Sequence, residues 1–233
     1  MHIGRFCQGN KNDPERGAGP HPHQGCVMLE KYGKDTMLSE DRRGGSHDPE
    51  RFGLQQEIIM NFKTERLEIR PLSDRDRDSV IDLMTDHVVK QTYMVPDFPS
   101  REAAEPLFQR LKELSGQEER YVAGIFLGQD LIGILHETEV NGRKIEVGYA
   151  IMPRYHNQGF ATEALTGAIA WLLGRGFDEV TAGAFEENPA SVRVMVKSGM
   201  KKLPQSDEIE YRGKVRTCVY YSVRKENGDV EKE

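Results

Sequence analysis

The apolar positions of this chain change period along its length, and each change marks an element. Residues 66–72 alternate, which predicts a first strand closed by Pro71. Ser73 or Asp74 then caps a helix carrying Val80, Ile81, Leu83 and Met84. His87 to Pro99 reads as a loop, and Ser100 opens a helix with Ala103, Leu107, Leu111 and Leu114 on one face. Two alternating runs, 120–127 and 131–138, predict a hairpin across Gly128, Gln129 and Asp130. Asn141-Gly142 is the strongest short hairpin signal and leads into a strand from Ile145 to Ile151. A helix over 158–174 follows, its apolar face made by Leu165, Ala168, Ile169, Leu172 and Leu173. The remaining pattern gives a strand at 179–184, a helix from Pro189 to Ser198 ended by Gly199, and strands near 200–206 and 216–223. Strands first, then a βαβα unit, then two closing strands predict one α/β (α+β) domain over residues 60–225, a mixed sheet flanked by helices.

Residues 1–59 break the pattern. They hold nine Gly, four Pro and four of the seven His, with few aliphatic residues. Such a segment buries too little apolar surface to offset chain entropy, so disorder is expected there, as in the polar tail 226–233. Gln56-Glu57 can be encoded CAG-GAG, which contains a ribosome-binding sequence two codons upstream of Met60. Met60 is therefore the expected natural start. His21, His23 and Cys26 are potential metal ligands, but a zinc site needs a fixed fourth, and no metal is expected. Three cysteines make no disulfide framework. A formal net charge of −6 argues against a broad nucleic-acid footprint. No run of 18 apolar residues and no secretory leader is present, so the expected location is cytoplasmic, with no membrane partner.

Candidate chemistry concentrates between Ile145 and Leu165. A strand, a short turn and a glycine opening a helix make a pocket for a phosphate. A helix N-terminus carries N–H groups without intrahelical partners and about half a positive charge. Gly159 removes the side chain that would keep an oxygen from those donors, and Ala161 obstructs little. The three glycines of a dinucleotide fingerprint and the Lys of a Walker loop are missing. His156-Asn-Gln-Gly-Phe-Ala161 resembles the pyrophosphate motif of the GNAT N-acetyltransferases, Arg/Gln-x-x-Gly-x-Gly/Ala, with His156 departing from it. Asn188-Pro-Ala-Ser191 and the helix after it resemble a later element of that fold. The combination is most similar to the branch that acetylates ribosomal-protein N-termini, and the likeness spans about Asn61 to Lys225.

The resemblance implies a GNAT fold, its sheet splayed at a cofactor-binding bulge. It implies acetyl-CoA as cosubstrate, the pyrophosphate held by backbone N–H groups of Asn157, Gln158, Gly159, Phe160, Ala161 and Thr162. His156 either contacts a phosphate or sits at the rim. Val147, Tyr149 and Ile151 would bind the pantetheine arm through their backbone, with Asn188 contacting the arm and Ser191 near the sulfur. Many relatives place a Tyr seven residues beyond that Asn as leaving-group acid. Here the position is Met195, which leaves Ser191 or water for the task.

Amide formation needs a neutral amine, hence a base. Glu146, desolvated on a mostly buried strand, is the favoured candidate, with Glu137 and His136 competing. A Glu paired with Arg or Lys at the sheet edge is the structural alternative. The acceptor site is expected among Tyr93, Met94, Phe98, Glu208, Glu210 and Tyr211, several of them suited to a cationic amine. The reading is thus an N-acetyltransferase acting on a peptide N-terminus or a small primary amine, as a monomer or homodimer. The competing reading is an inactive acyl-CoA-binding sensor, for which Met195 is the supporting feature.

Overall fold

The computed structural model describes residues 59–225. The expectations for the leading segment, including its histidines and Cys26, lie outside the described residues except at Ile59, as does the 226–233 tail. Eight strands form one sheet: β1 (Phe62–Lys63), β2 (Glu68–Arg70), β3 (Ala123–Leu127), β4 (Asp130–Asn141), β5 (Lys144–Ile151), β6 (Glu179–Phe185), β7 (Lys201–Tyr211) and β8 (Lys214–Arg224). Their order is β1-β2-β3-β4-β5-β6-β8-β7, antiparallel throughout except for β5 beside β6. Among the described residues five α-helices accompany it: α1 (Arg77–Thr85), α2 (Val89–Thr92), α3 (Glu105–Ser115), α4 (Phe160–Gly174) and α5 (Pro189–Lys197).

The sheet separates two apolar layers. On one face Leu165, Ala168 and Leu172 of α4 pack with Ile145, Val147 and Val180. On the other, Val80 and Leu83 of α1 and Leu107, Phe108 and Leu111 of α3 pack with Phe126, Ile134 and Ala150. In the segment leading into α3, Ala104 is buried where Ala103 was expected, because the helix follows a 3-10 turn, Glu102–Ala104, that rotates the stripe by a residue. The turn before α1 is fixed by Asp76, whose carboxylate accepts the N–H and O–H of Ser73 at 2.8 Å each. These layers pack β4 and β5 from both sides.

Two departures bear on the site. The expected loop 87–99 contains α2, started by the Asp86 carboxylate, which accepts the N–H groups of Val88 (2.8 Å) and Val89 (3.0 Å). The last two strands are longer than the pattern suggested. Arg212 (φ 54°) and Gly213 (φ 69°) supply a two-residue turn with both dihedrals positive, joining β7 to β8 directly. Asp207 to Tyr211, which fall between the two expected strands, are therefore regular strand.

Candidate active site

The parallel pair β5–β6 stays together for three rungs only, Lys144↔Glu179, Ile145↔Val180 and Glu146↔Thr181. Beyond Glu146 the strands separate. β5 continues along β4 to Ile151, while β6 continues along β8 to Phe185. An extra residue in β4, between Glu137 and Glu139, shifts the β4–β5 register where the separation starts. The Met152 N–H donates to Ile132 on the β4 side. Because backbone groups alternate along a strand, those of Tyr149 and Ile151 point the other way, into the gap. Val147 stands one residue past the last rung.

A cleft of about 550 Å³ occupies the gap. Its walls are Val147 to Ile151 of β5, Gly183 to Phe185 of β6, and Asn188, Ser191 and Val194 of α5. One end reaches the start of α4 at His156, Asn157, Gly159, Phe160, Ala161 and Thr162. The other reaches Tyr93 and Met94 after α2, with His136, Thr138 and Glu146.

At the α4 end, Gly159 is the helix N-cap with φ 83°, a conformation that costs an L side chain, and no side chain caps the helix. Its carbonyl takes the Glu163 N–H at 3.0 Å, leaving the first-turn N–H groups of Phe160, Ala161 and Thr162 to face the cleft end. Gln158 turns away: its side-chain amide donates to Arg154 O (3.1 Å) and its carbonyl accepts from Arg66 (3.1 Å). The side chain of His156 ties the turn to the strand, Nε2–H donating to the Ile151 carbonyl at 2.8 Å. Beneath the turn Glu163 accepts from Thr64 Oγ1 (2.6 Å), Arg66 N (2.7 Å) and Arg66 Nε (2.6 Å). The carboxylate's pKa lies below its ordinary value despite burial, because those bonds favour its charge. Arg66 also lies 4.5 Å over the Phe160 ring. This cradle fits a pyrophosphate: free helix donors, no Cβ at Gly159, and the one acidic residue of the first turn neutralised.

Midway, Asn188 caps α5 by accepting the Ser191 N–H at 3.2 Å. Tyr149 lies within hydrogen-bond range of Ser191 Oγ at 2.8 Å and donates to Ser191 O at 3.3 Å. Burial pushes the Tyr149 phenol up to about 12, so it stays protonated. Met195 is wholly buried in the core against α4, away from the cleft wall. A tyrosine hydroxyl does reach Ser191, supplied by β5 instead of α5; the sequence reading used Tyr149 only for its backbone.

At the far end, Glu146 is 7% exposed and its Oε1 accepts the Thr138 hydroxyl at 2.9 Å. It also borders a second hollow of about 400 Å³ between β4, β6 and β8. Glu137 points elsewhere, paired with Arg120 at 2.7 Å and accepting the Tyr121 N–H. His136 is buried beside Tyr93, their Nε2 and hydroxyl 2.5 Å apart. Of the six expected acceptor residues, Tyr93 and Met94 line the cleft. Phe98 packs on the α1–α3 layer. Tyr211 is buried and its hydroxyl holds the segment after α2 by donating to Lys90 O (2.9 Å) and Tyr93 O (3.2 Å). Glu208 accepts from Thr217, and Glu210 is exposed.

Among the described residues no helix is long and apolar enough to cross a membrane. A Bacillus subtilis protein called an uncharacterized N-acetyltransferase, YoaA, is 29% identical over 150 residues, 60% of this chain and 82% of that one. Two solved structures share the fold. The ribosomal-protein-S5-alanine acetyltransferase from Vibrio fischeri is 15% identical with a TM-score of 0.62, covering 72% of this chain and 98% of its own. The spermidine N-acetyltransferase from Vibrio cholerae, in complex with CoA and spermine, is 17% identical with a TM-score of 0.59, covering 68% and 95%. The acetyltransferase (GNAT) domain matches residues 66–201, and the chain belongs to that family.

Proposed function

We propose that the protein is an acetyl-CoA-dependent N-acetyltransferase passing the acetyl group directly to a primary amine. The observation that carries this reading is the β5 edge, opened beyond Glu146 and leading to an uncapped helix N-terminus. Acetyl-CoA supplies the activated acetyl group as a thioester. The α4 donors hold its pyrophosphate, and the Tyr149 carbonyl and the Ile151 N–H meet its pantetheine amides as an added strand would.

The residues at the other end handle the proton. Glu146, held by Thr138, accepts a proton from the amine as its nitrogen bonds to the carbonyl carbon. The Tyr149 N–H is the oxyanion donor; Val147, beside the last β5–β6 rung, is worse placed. When the C–S bond breaks, the Ser191 hydroxyl, held by Tyr149, donates to the departing sulfur. A thiolate leaves readily, near the ordinary thiol pKa of about 8.5, so this last contribution is small. Met195 lies in the core, and the Tyr149–Ser191 hydroxyl pair beside the gap supports transfer over the sensor reading.

Acceptors of two kinds are known by name for proteins of this fold, a ribosomal-protein alanine and spermidine. The reading here covers both as primary amines. Thiol release from acetyl-CoA by the full chain tests it, with peptides beginning in Ser or Ala, spermidine, free amino acids and aminoglycosides as acceptors. Amine-dependent thiol release supports it. CoA binding without release for any amine sinks it.

A further inference from the structure

The polarity of one buried hydrogen-bond chain follows from its geometry and its burial together. His136 Nδ1 lies 2.8 Å from the Glu137 carbonyl, which can only accept, so Nδ1 carries the proton. Burial lowers the imidazole pKa from 6.5 to about 4, so the ring is neutral and Nε2 has a lone pair. The Tyr93 hydroxyl, 2.5 Å from that lone pair, must donate to it. Its one proton is committed, and its oxygen can only accept from anything in the cleft. The pair is rigidly built. Tyr93 N–H donates to Val89 O at 2.9 Å, and Tyr211 holds the Tyr93 carbonyl from behind. On β5, a Cβ at Gly148 would lie 2.7 Å from Nε2, so the imidazole fills the space a side chain there would take.

Both residues line the cleft with Glu146, and they are neighbours: a Cβ at Gly148 would stand 2.7 Å from His136 Nε2 and 3.3 Å from Thr138, the residue that bonds Glu146. A neutral primary amine has two N–H bonds and one lone pair. With the lone pair aimed at the acetyl carbon, both N–H bonds need acceptors. We propose that Tyr93, its polarity set by His136, is the specificity-determining residue that takes one N–H while Glu146 takes the other, so that this site selects primary over secondary amines. The inference rests on the N-acetyltransferase reading and names a residue for it. Tyr93 moves no proton in this scheme; it positions the amine.

The probes are a hexapeptide beginning with Ser, spermidine, and the N-methylated form of each at the reacting nitrogen. In the wild type, kcat/KM for the primary form is expected to exceed the N-methyl form by about 10-fold or more, the size of one hydrogen bond to a buried group. Tyr93→Phe should erase most of that ratio, acting chiefly through KM for the primary amine, with CoA affinity unchanged. His136→Gln, whose carbonyl can still accept the Tyr93 proton, should keep the preference; His136→Leu should lose it. A Tyr93→Phe enzyme as selective as the wild type overturns the proposal, as does a wild type that accepts both forms equally. CoA binding with no transfer to either probe overturns the N-acetyltransferase reading and this inference with it, an outcome distinct from unaltered selectivity.

Discussion

The two ends of the cleft are built from different materials. The α4 end is backbone: N–H groups of one helix turn, a glycine at φ 83° and the open edge of a strand, all within residues 147–162. The Glu146 end is side chains from distant segments, with Tyr93 after α2, His136 and Thr138 on β4 and Glu146 on β5. A backbone site depends on local conformation and tolerates changes of side chain that leave it intact. A side-chain site depends on tertiary packing to bring its parts together. On the proposed function, one end answers to cofactor affinity and the other to turnover and acceptor choice.

Gly159→Glu should break the first end most severely. It places a Cβ at positive φ and an anion among the phosphate donors. Losing two charge-assisted bonds of about 2 kcal/mol each weakens CoA binding on the order of 1,000-fold. Titration calorimetry with CoA checks this, and unchanged affinity would remove the cradle. Glu146→Gln attacks the other end, with turnover down on the order of 100-fold or more and CoA affinity nearly intact. If affinity fell in step with turnover, the division of labour between the ends would be wrong.

The pH dependence of stability sharpens the contrast, because only the side-chain end holds a buried neutral imidazole. His136 has a folded pKa of about 4 against 6.5 for the free ring, so the unfolded chain binds its proton first as pH falls. Its neutral burial is without penalty above pH 6.5, and stability is lost between pH 6.5 and 4. Between pH 7 and 5 the wild type should lose roughly 2 kcal/mol more than His136→Gln in urea unfolding. An equal loss would mean that the folded ring takes up its proton as readily as the unfolded one. The smallest effect expected is on Arg66→Ala. With Glu163 no longer neutralised in the first turn of α4, CoA affinity should drop about 10-fold, and Glu163→Gln in the same chain should restore it. If the double variant binds as weakly as the single one, Arg66 acts on the cradle's fold and not its charge.

The same contrast explains what could be read from the sequence. Gly159, Ala161 and the apolar stripe of α4 are neighbours in the chain, and the strand–turn–helix they specify is local, so that element was legible. The hairpin at Asn141 was legible for the same reason. Tyr149 was found for its backbone, since alternation reveals which residues share an edge, but its hydroxyl meets Ser191 42 residues away. The Tyr93–His136 pair spans 43 residues, and no periodicity marks it. The extent of β7 and β8 was missed because β7 exposes many residues and so lacks a strong apolar alternation.

The brevity of the β5–β6 ladder also bears on how the molecule forms. Strands β3, β4 and β5 are joined in sequence by tight turns and pair antiparallel with their neighbours, so that half can zip from local contacts. Strands β7 and β8 do likewise around Arg212-Gly213. The halves meet through three parallel rungs, reached only after the whole of α4 has crossed over. Loop closure over that crossover precedes any reward from the rungs, so the seam between the halves is expected to form late and, in native hydrogen exchange, to open first. The cleft lies along this seam, so a ligand seated there would bridge both halves and slow that opening.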